Sequence, residues 1–141
     1  MTELAASVEV DAPAQRLWDT VVDWDTQSEW MFLTTACGGH GAGATVEGFT
    51  GVGRIGFLDT MVITRWEPPR RCVVRHTGRV VRGSAAFEVE SLGDGRSRFV
   101  WTEWVVPPLG DLGTVGFALV RPLLLVLVRR SLRRLAARAG G

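Results

Sequence analysis

The sequence predicts an α+β fold: a curved antiparallel sheet of six to seven strands, two short helices after the first strand, and a long C-terminal helix. Three observations carry this. Segments between residues 55 and 106 alternate with period two and are separated by hairpin-type turns. An apolar face at helical spacing follows the first strand. A second, longer one runs over 115–139. Helices kept apart from consecutive hairpins imply α+β rather than a parallel α/β sheet. At 141 residues the chain is expected to form a single domain over 1–141, large enough to hold a core without staples.

"ELAASVEV" suits an opening strand. "DAPAQRLWDTVVDW" follows as a helix, with Asp11 as N-cap, Pro13 in the first turn, and Leu17, Trp18, Val21 and Val22 on one face. Asp25 is expected to cap a second short helix ending near Trp30. The glycine-rich stretch Gly38–Gly56 is interspersed with Val46, Phe49, Val52 and Ile55, and reads as a strongly bent hairpin. His40 within it reads as an exposed loop residue. "LDTMVITRW" and "RCVVRHT" are strands joined by a turn at Pro68 and Pro69. "GSAAFEVESL" and "SRFVWTEWVV" are joined by "GDG", whose Asp-Gly is a strong hairpin signal. Pro107 and Pro108 break the sheet, and the last helix follows.

Alternation assigns faces. Phe87 and Val89 point inward with Ala85. In 98–106 both faces are apolar, Phe99, Trp101, Glu103 and Val105 against Val100, Thr102, Trp104 and Val106; the first set is favoured as inward because a Phe–Trp pair suits a ligand-lining wall. Cys72, Val74 and His76 point inward, with Arg75 to solvent. On the last helix Phe117, Leu124, Val128 and Leu135 fall within about 20° of one direction and form a stripe that can cover a sheet. Pro122 is expected to bend the helix. Arg121, about 40° from the stripe, reads as a rim arginine or as a partner for an anionic ligand group. Leu119, Leu123 and Val126 lie on the opposite face. They are covered by the N-terminal helices and the glycine-rich hairpin, or they form a homodimer interface or a membrane-facing patch.

The layout resembles the helix-grip fold of the START, birch-pollen-allergen and polyketide-cyclase superfamily, often called SRPBCC. "VEVDAPAQRLWDTVVDWDTQSEWM", "VITRWEPPRRCVV" and "GDGRSRFVWTEWVV" carry the resemblance across essentially the whole chain. It implies a grip of sheet around the last helix. It transfers no catalytic motif, because one such fold hosts many functions.

Charge and motifs narrow the function. All 16 basic residues are arginine, a bias that fits a high-GC bacterial genome. Residues 1–50 carry a balance of −7 and residues 51–141 a balance of +8. No recognition-helix motif accompanies that asymmetry, so no nucleic-acid partner is expected. Cys37 and Cys72 form no CxxC, and no His lies at metal spacing, so neither metal nor cofactor is expected. The acidic N-terminus lacks an apolar signal region, and a cytoplasmic location is expected. The apolar run Val115–Val128 is short, contains Arg121 and Pro122, and is not expected to span a bilayer. The leading expectation is an internal cavity that binds a lipid, polyketide-like or aromatic molecule, lined by Phe87, Val89, Val74, Phe99, Trp101, Phe117, Arg121, Leu124 and Val128. The alternative is an aromatase/cyclase-like enzyme in which His76 and Glu103 form an acid/base pair, burial raising the glutamate pKa and lowering the histidine pKa, the arrangement enzymes use near neutrality. The second alternative is a protein-interaction or toxin-like module that docks through the outer face of the last helix.

Overall fold

The computed structural model describes residues 2–140. Strand β1 (Thr2–Val10) leads into helix α1 (Ala14–Val21) and a short 3₁₀ helix (Trp24–Glu29). Six strands follow: β2 (Thr34–Gly38), β3 (Thr45–Val52), β4 (Ile55–Glu67), β5 (Arg71–His76), β6 (Gly83–Gly93) and β7 (Arg96–Val105). Helix α2 (Gly110–Gly140) closes the chain. The strands form one antiparallel sheet in the order β1-β7-β6-β5-β4-β3-β2. The α+β helix-grip architecture expected from the sequence is therefore the one formed.

The turns follow their residues. Asp94 and Gly95 both sit at positive φ between β6 and β7, as a two-residue hairpin requires. Pro68 and Pro69 make the turn between β4 and β5. The glycine-rich stretch is two hairpins rather than one. Gly51 and Gly56 pair across β3 and β4 so closely that a Cβ on either would collide with the opposing backbone. A register shift between Ile63 and Arg65 adds local bend to β4.

Two helix starts differ from expectation. Pro13, not Asp11, is the N-cap of α1: its extended backbone (φ −67, ψ 155) is the one proline favours, and no side chain caps the helix. Asp11 instead faces Arg96. The 3₁₀ helix has Asp23 at its N-cap rather than Asp25, again without a side-chain cap. Asp25 falls in the first turn, where a negative charge suits the helix dipole.

Helix α2 begins five residues before the apolar run, at Gly110, and continues through Pro122. At this full length it is long and apolar enough to cross a membrane by length and composition. Its C-terminal half, however, buries Val128, Ser131, Leu132, Leu135 and Ala139 against the fold. Gly140 reaches Asp11 at the end of β1, while Arg121 Nη1 donates to the carbonyl of Glu3 near its start (2.9 Å). The helix thus runs along β1 from one end of the sheet to the other.

These contacts define a filled end and an open end. Around α1 and the C-terminal half of α2 the core is closed by Leu17, Val21, Trp30, Phe99, Leu132 and Leu135, all essentially inaccessible. Ser131 links the layers: its hydroxyl accepts the Phe32 N–H (2.9 Å) and donates to the Leu127 carbonyl (3.0 Å).

Candidate functional site

Beyond the filled core, the sheet and α2 enclose a cavity of about 350 Å³, within the range of small-molecule pockets. Its wall is mostly apolar. Trp24, Met31 and Phe32 come from the 3₁₀ helix and its exit, Val74, Phe87 and Trp101 from the sheet, and Leu124 and Val128 from α2. Charged side chains enter the wall at one place, formed by Asp59, His76 and Glu103.

The register explains why these three meet. His76 pairs with Gly83 of β6, and Glu103 pairs with Ala85 two residues along the same strand. With no side chain at Gly83 and only a methyl at Ala85, the His76 ring and the Glu103 carboxylate meet across β6. Gly83 is also required by its backbone: it has φ +117, and a Cβ there would collide with the Trp104 carbonyl. Asp59 arrives from β4, two residues beyond the Met61–His76 pair.

His76 is clamped. Its Nδ1 lies 2.8 Å from Asp59 Oδ1 and its Nε2 lies 3.0 Å from Glu103 Oε2. Glu103 Oε1 accepts the Trp101 indole N–H at 3.1 Å. Both ring nitrogens face a carboxylate, so the imidazolium, with two N–H donors, is the form that satisfies the site. Burial alone would lower the pKa of His76. The hydrogen bonds and charges of Asp59 and Glu103 outweigh it and push the pKa up to about 9. This corrects the sequence expectation of a lowered histidine pKa. The expectation weighed burial without the second carboxylate.

Asp59 was not identified from the sequence. Its signal was present: Phe57, Asp59, Met61 and Ile63 share one parity of β4. Leu58 and Val62 on the other parity blurred the face assignment. Asp59 Oδ2 makes no hydrogen bond among the described residues, and Asp59 lines the cavity.

Of the other residues predicted to contact ligand, Phe87, Val74, Trp101, Leu124 and Val128 line the cavity. Val89 and Phe99 face inward but lie at the filled end, where they are buried in the core. Alternation fixes the face of a strand residue, not its level along the barrel. Phe117 is half-buried and Arg121 is bound to the Glu3 carbonyl; neither belongs to the cavity wall. His40 is exposed, but its Nε2 contacts the Val22 carbonyl (2.7 Å) and its ring stacks on Trp24. Cys72 also lines the cavity, and burial pushes its thiol up to about 12. Among the described residues no group of three His, Cys, Asp or Glu side chains could hold a metal ion. Asp59 and Glu103 sit at different nitrogens of His76, so the three do not converge on one point.

Solved structures share this fold. The Zhui aromatase/cyclase from Streptomyces sp. R1128 superposes with a TM-score of 0.73 at 21% identity, over 98% of this chain and 93% of that one. A protein of Thermus thermophilus superposes at 0.77 and 16% identity, over 98% and 97%. The di-domain aromatase/cyclase BexL of the BE-7585A biosynthetic pathway superposes at 0.75 and 16% identity, over 97% of this chain; the chain spans 46% of BexL. No curated protein matches the sequence. The family described as polyketide cyclase/dehydrase and lipid transport matches residues 1–140, and this chain belongs to that family.

Proposed function

We propose that the cavity binds an elongated apolar small molecule, aromatic or polyketide-like, that carries a hydrogen-bond donor at one point. One observation carries this reading: a mostly apolar wall whose charged side chains are Asp59, His76 and Glu103, gathered at one place. The apolar wall favours a ligand by removing its surface from water. The free Asp59 Oδ2 accepts a phenolic or enolic hydroxyl and fixes its orientation. The family description, which joins polyketide cyclases with lipid transport, supports the ligand class. Titration of the protein with a hydroxylated polycyclic aromatic, followed by tryptophan fluorescence, tests it. Trp24 and Trp101 line the cavity and report occupancy. Saturable quenching that weakens in Asp59→Asn is expected; no saturable binding overturns the reading.

The clamped histidine favours a second reading, cyclase-like chemistry. At neutral pH His76 is an acid rather than a base. In an aldol-type closure Asp59 would take a proton from a methylene between two carbonyls. The resulting carbanion attacks a second carbonyl within the same chain, and a new C–C bond forms. His76 gives its proton to the alkoxide, and the Asp59 proton restores the imidazolium. Single-turnover assays on a linear poly-keto thioester test this reading. His76→Gln should retain binding and lose ring closure; unchanged closure overturns it.

A further inference from the structure

We propose that the open end of the grip docks on an anionic lipid bilayer. The strand register sets the level of that end. Thr2, Val105, Gly83 and His76 lie in one row across β1, β7, β6 and β5. Two arms project past it. From Met61, paired with His76, β4 continues six residues to Ile55 with β3 alongside, roughly 20 Å at strand rise. From Arg121, held at Glu3, α2 extends back to Gly110, roughly 16 Å at helix rise. The cavity wall reaches the same end through Thr50, Phe57, Val81 and Val105, so the cavity opens between the arms.

The exposed large apolar side chains gather there. Val52 and Ile55 form the tip of the strand arm, and Ile55 is 84% exposed. Val80 tops the β5–β6 loop, and Val106 and Leu109 occupy the β7–α2 loop. On the projecting part of α2, Leu112, Val115 and Leu119 make one outward stripe, with Leu119 77% exposed; Leu123 and Val126 continue it past Arg121 towards the packed half. Among the described residues the exposed large apolar side chain at the far end is Leu92, in β6 near its hairpin.

Charge decides the occupant. Arg54 sits inside the tip "VGRI", and Arg79 and Arg82 flank the loop "RVVR"; all three are exposed. None of them has a carboxylate within ion-pair distance among the described residues. The arginine–carboxylate pairs of Arg65, Arg96, Arg98 and Arg138 all lie at the far end. Arg129, Arg130, Arg133 and Arg134 are exposed, without ion pairs among the described residues, on the packed half of α2, away from the apolar tips. Asp111 is the one carboxylate on the projecting part of α2. Apolar tips beside unpaired arginines suit acyl chains beneath anionic phosphates. A second copy seated on the α2 stripe would leave Ile55 and Val80 uncovered. A bilayer surface covers both arms and the loop together. If the cavity holds an apolar ligand, as proposed above, this placement lets the ligand pass between bilayer and cavity without crossing water.

Co-sedimentation of the whole chain tests this, using phosphatidylcholine vesicles with and without phosphatidylglycerol. Pelleting with the anionic vesicles alone is expected, weakened by added salt. Arg54→Glu/Arg79→Glu/Arg82→Glu should lower the affinity by roughly a hundredfold or more. Ile55→Asp/Val80→Asp should lower it as well. These positions are exposed, and unchanged melting curves confirm that the variants fold. Saturable binding of the aromatic probe should survive in both variants, which separates failure of docking from failure of the cavity reading. The proposal is overturned by absence of pelleting, by equal pelleting with neutral and anionic vesicles, or by a dimer in light scattering that Leu119→Asp dissolves while vesicles stay unbound.

Discussion

Glu103 and His76 stand two strands apart, yet Oε2 of one lies 3.0 Å from Nε2 of the other, over the glycine and alanine of β6. The contact makes a protonated histidine part of the folded state.

Stability should therefore fall as pH rises. The folded pKa of His76, about 9, stands above the ordinary value of 6.5. Its contribution is complete below about pH 6.5 and lost as pH climbs through 9, a change of roughly 3 kcal/mol. Urea melts between pH 6.5 and 9 should show this decline in the native protein and its loss in His76→Gln. The loss due to the Cys72 thiol sets in around its ordinary value of 9.0 and stays under about 1 kcal/mol up to that pH, so the histidine dominates the window.

Each carboxylate should hold part of the shift. Glu103→Gln and Asp59→Asn should each lower the His76 pKa by about 1–3 units, since each removes an opposite charge at contact distance. Ring-proton NMR titration reads this directly. An unmoved pKa in both variants would contradict the clamp.

The two thiols should behave differently. Cys37 is exposed and Cys72 is buried with its pKa pushed up to about 12. A disulfide reagent at pH 8 should titrate one thiol in the native protein and both in denaturant. Occupancy of the cavity should slow any residual reaction of Cys72, because it lines the wall.

Ser131→Ala should destabilise by about 1–3 kcal/mol, since it strands the Phe32 N–H inside the structure. Thermal melts should show the loss, and the NMR pKa of His76 should stay in place.

How far the sequence could be read follows from what periodicity encodes. Period two left β7 ambiguous, since Val100, Trp104 and Val106 make its other face apolar too; the Phe99–Trp101 pair favoured the face that does carry Trp101 and Glu103 to the wall. It also faced Val89 and Phe99 inward, but could not show that α1 fills the barrel at their level. Asp59 was masked by Leu58 and Val62 on the opposite parity. The charge state of His76 depends on two side chains 17 and 27 residues away in sequence, and only the strand register brings these together. At the helix ends, Pro13 took the cap expected of Asp11. Pro107 and Pro108 suggested a longer break than the chain makes before Gly110 resumes as helix.

The pairing of β1 with β7, from Thr2–Val105 to Val10–Ser97, also sets a timetable. β1 lies at the sheet edge with β7 as its neighbour, so it finds its partner only when β7 emerges. At about 5–20 residues per second it waits roughly 5 to 20 seconds as an unpaired apolar strand beside the ribosome. Glu3 and Glu9, both exposed in the finished fold, place a negative charge near each end of that waiting segment. Charges so placed on an edge strand oppose its pairing with another chain.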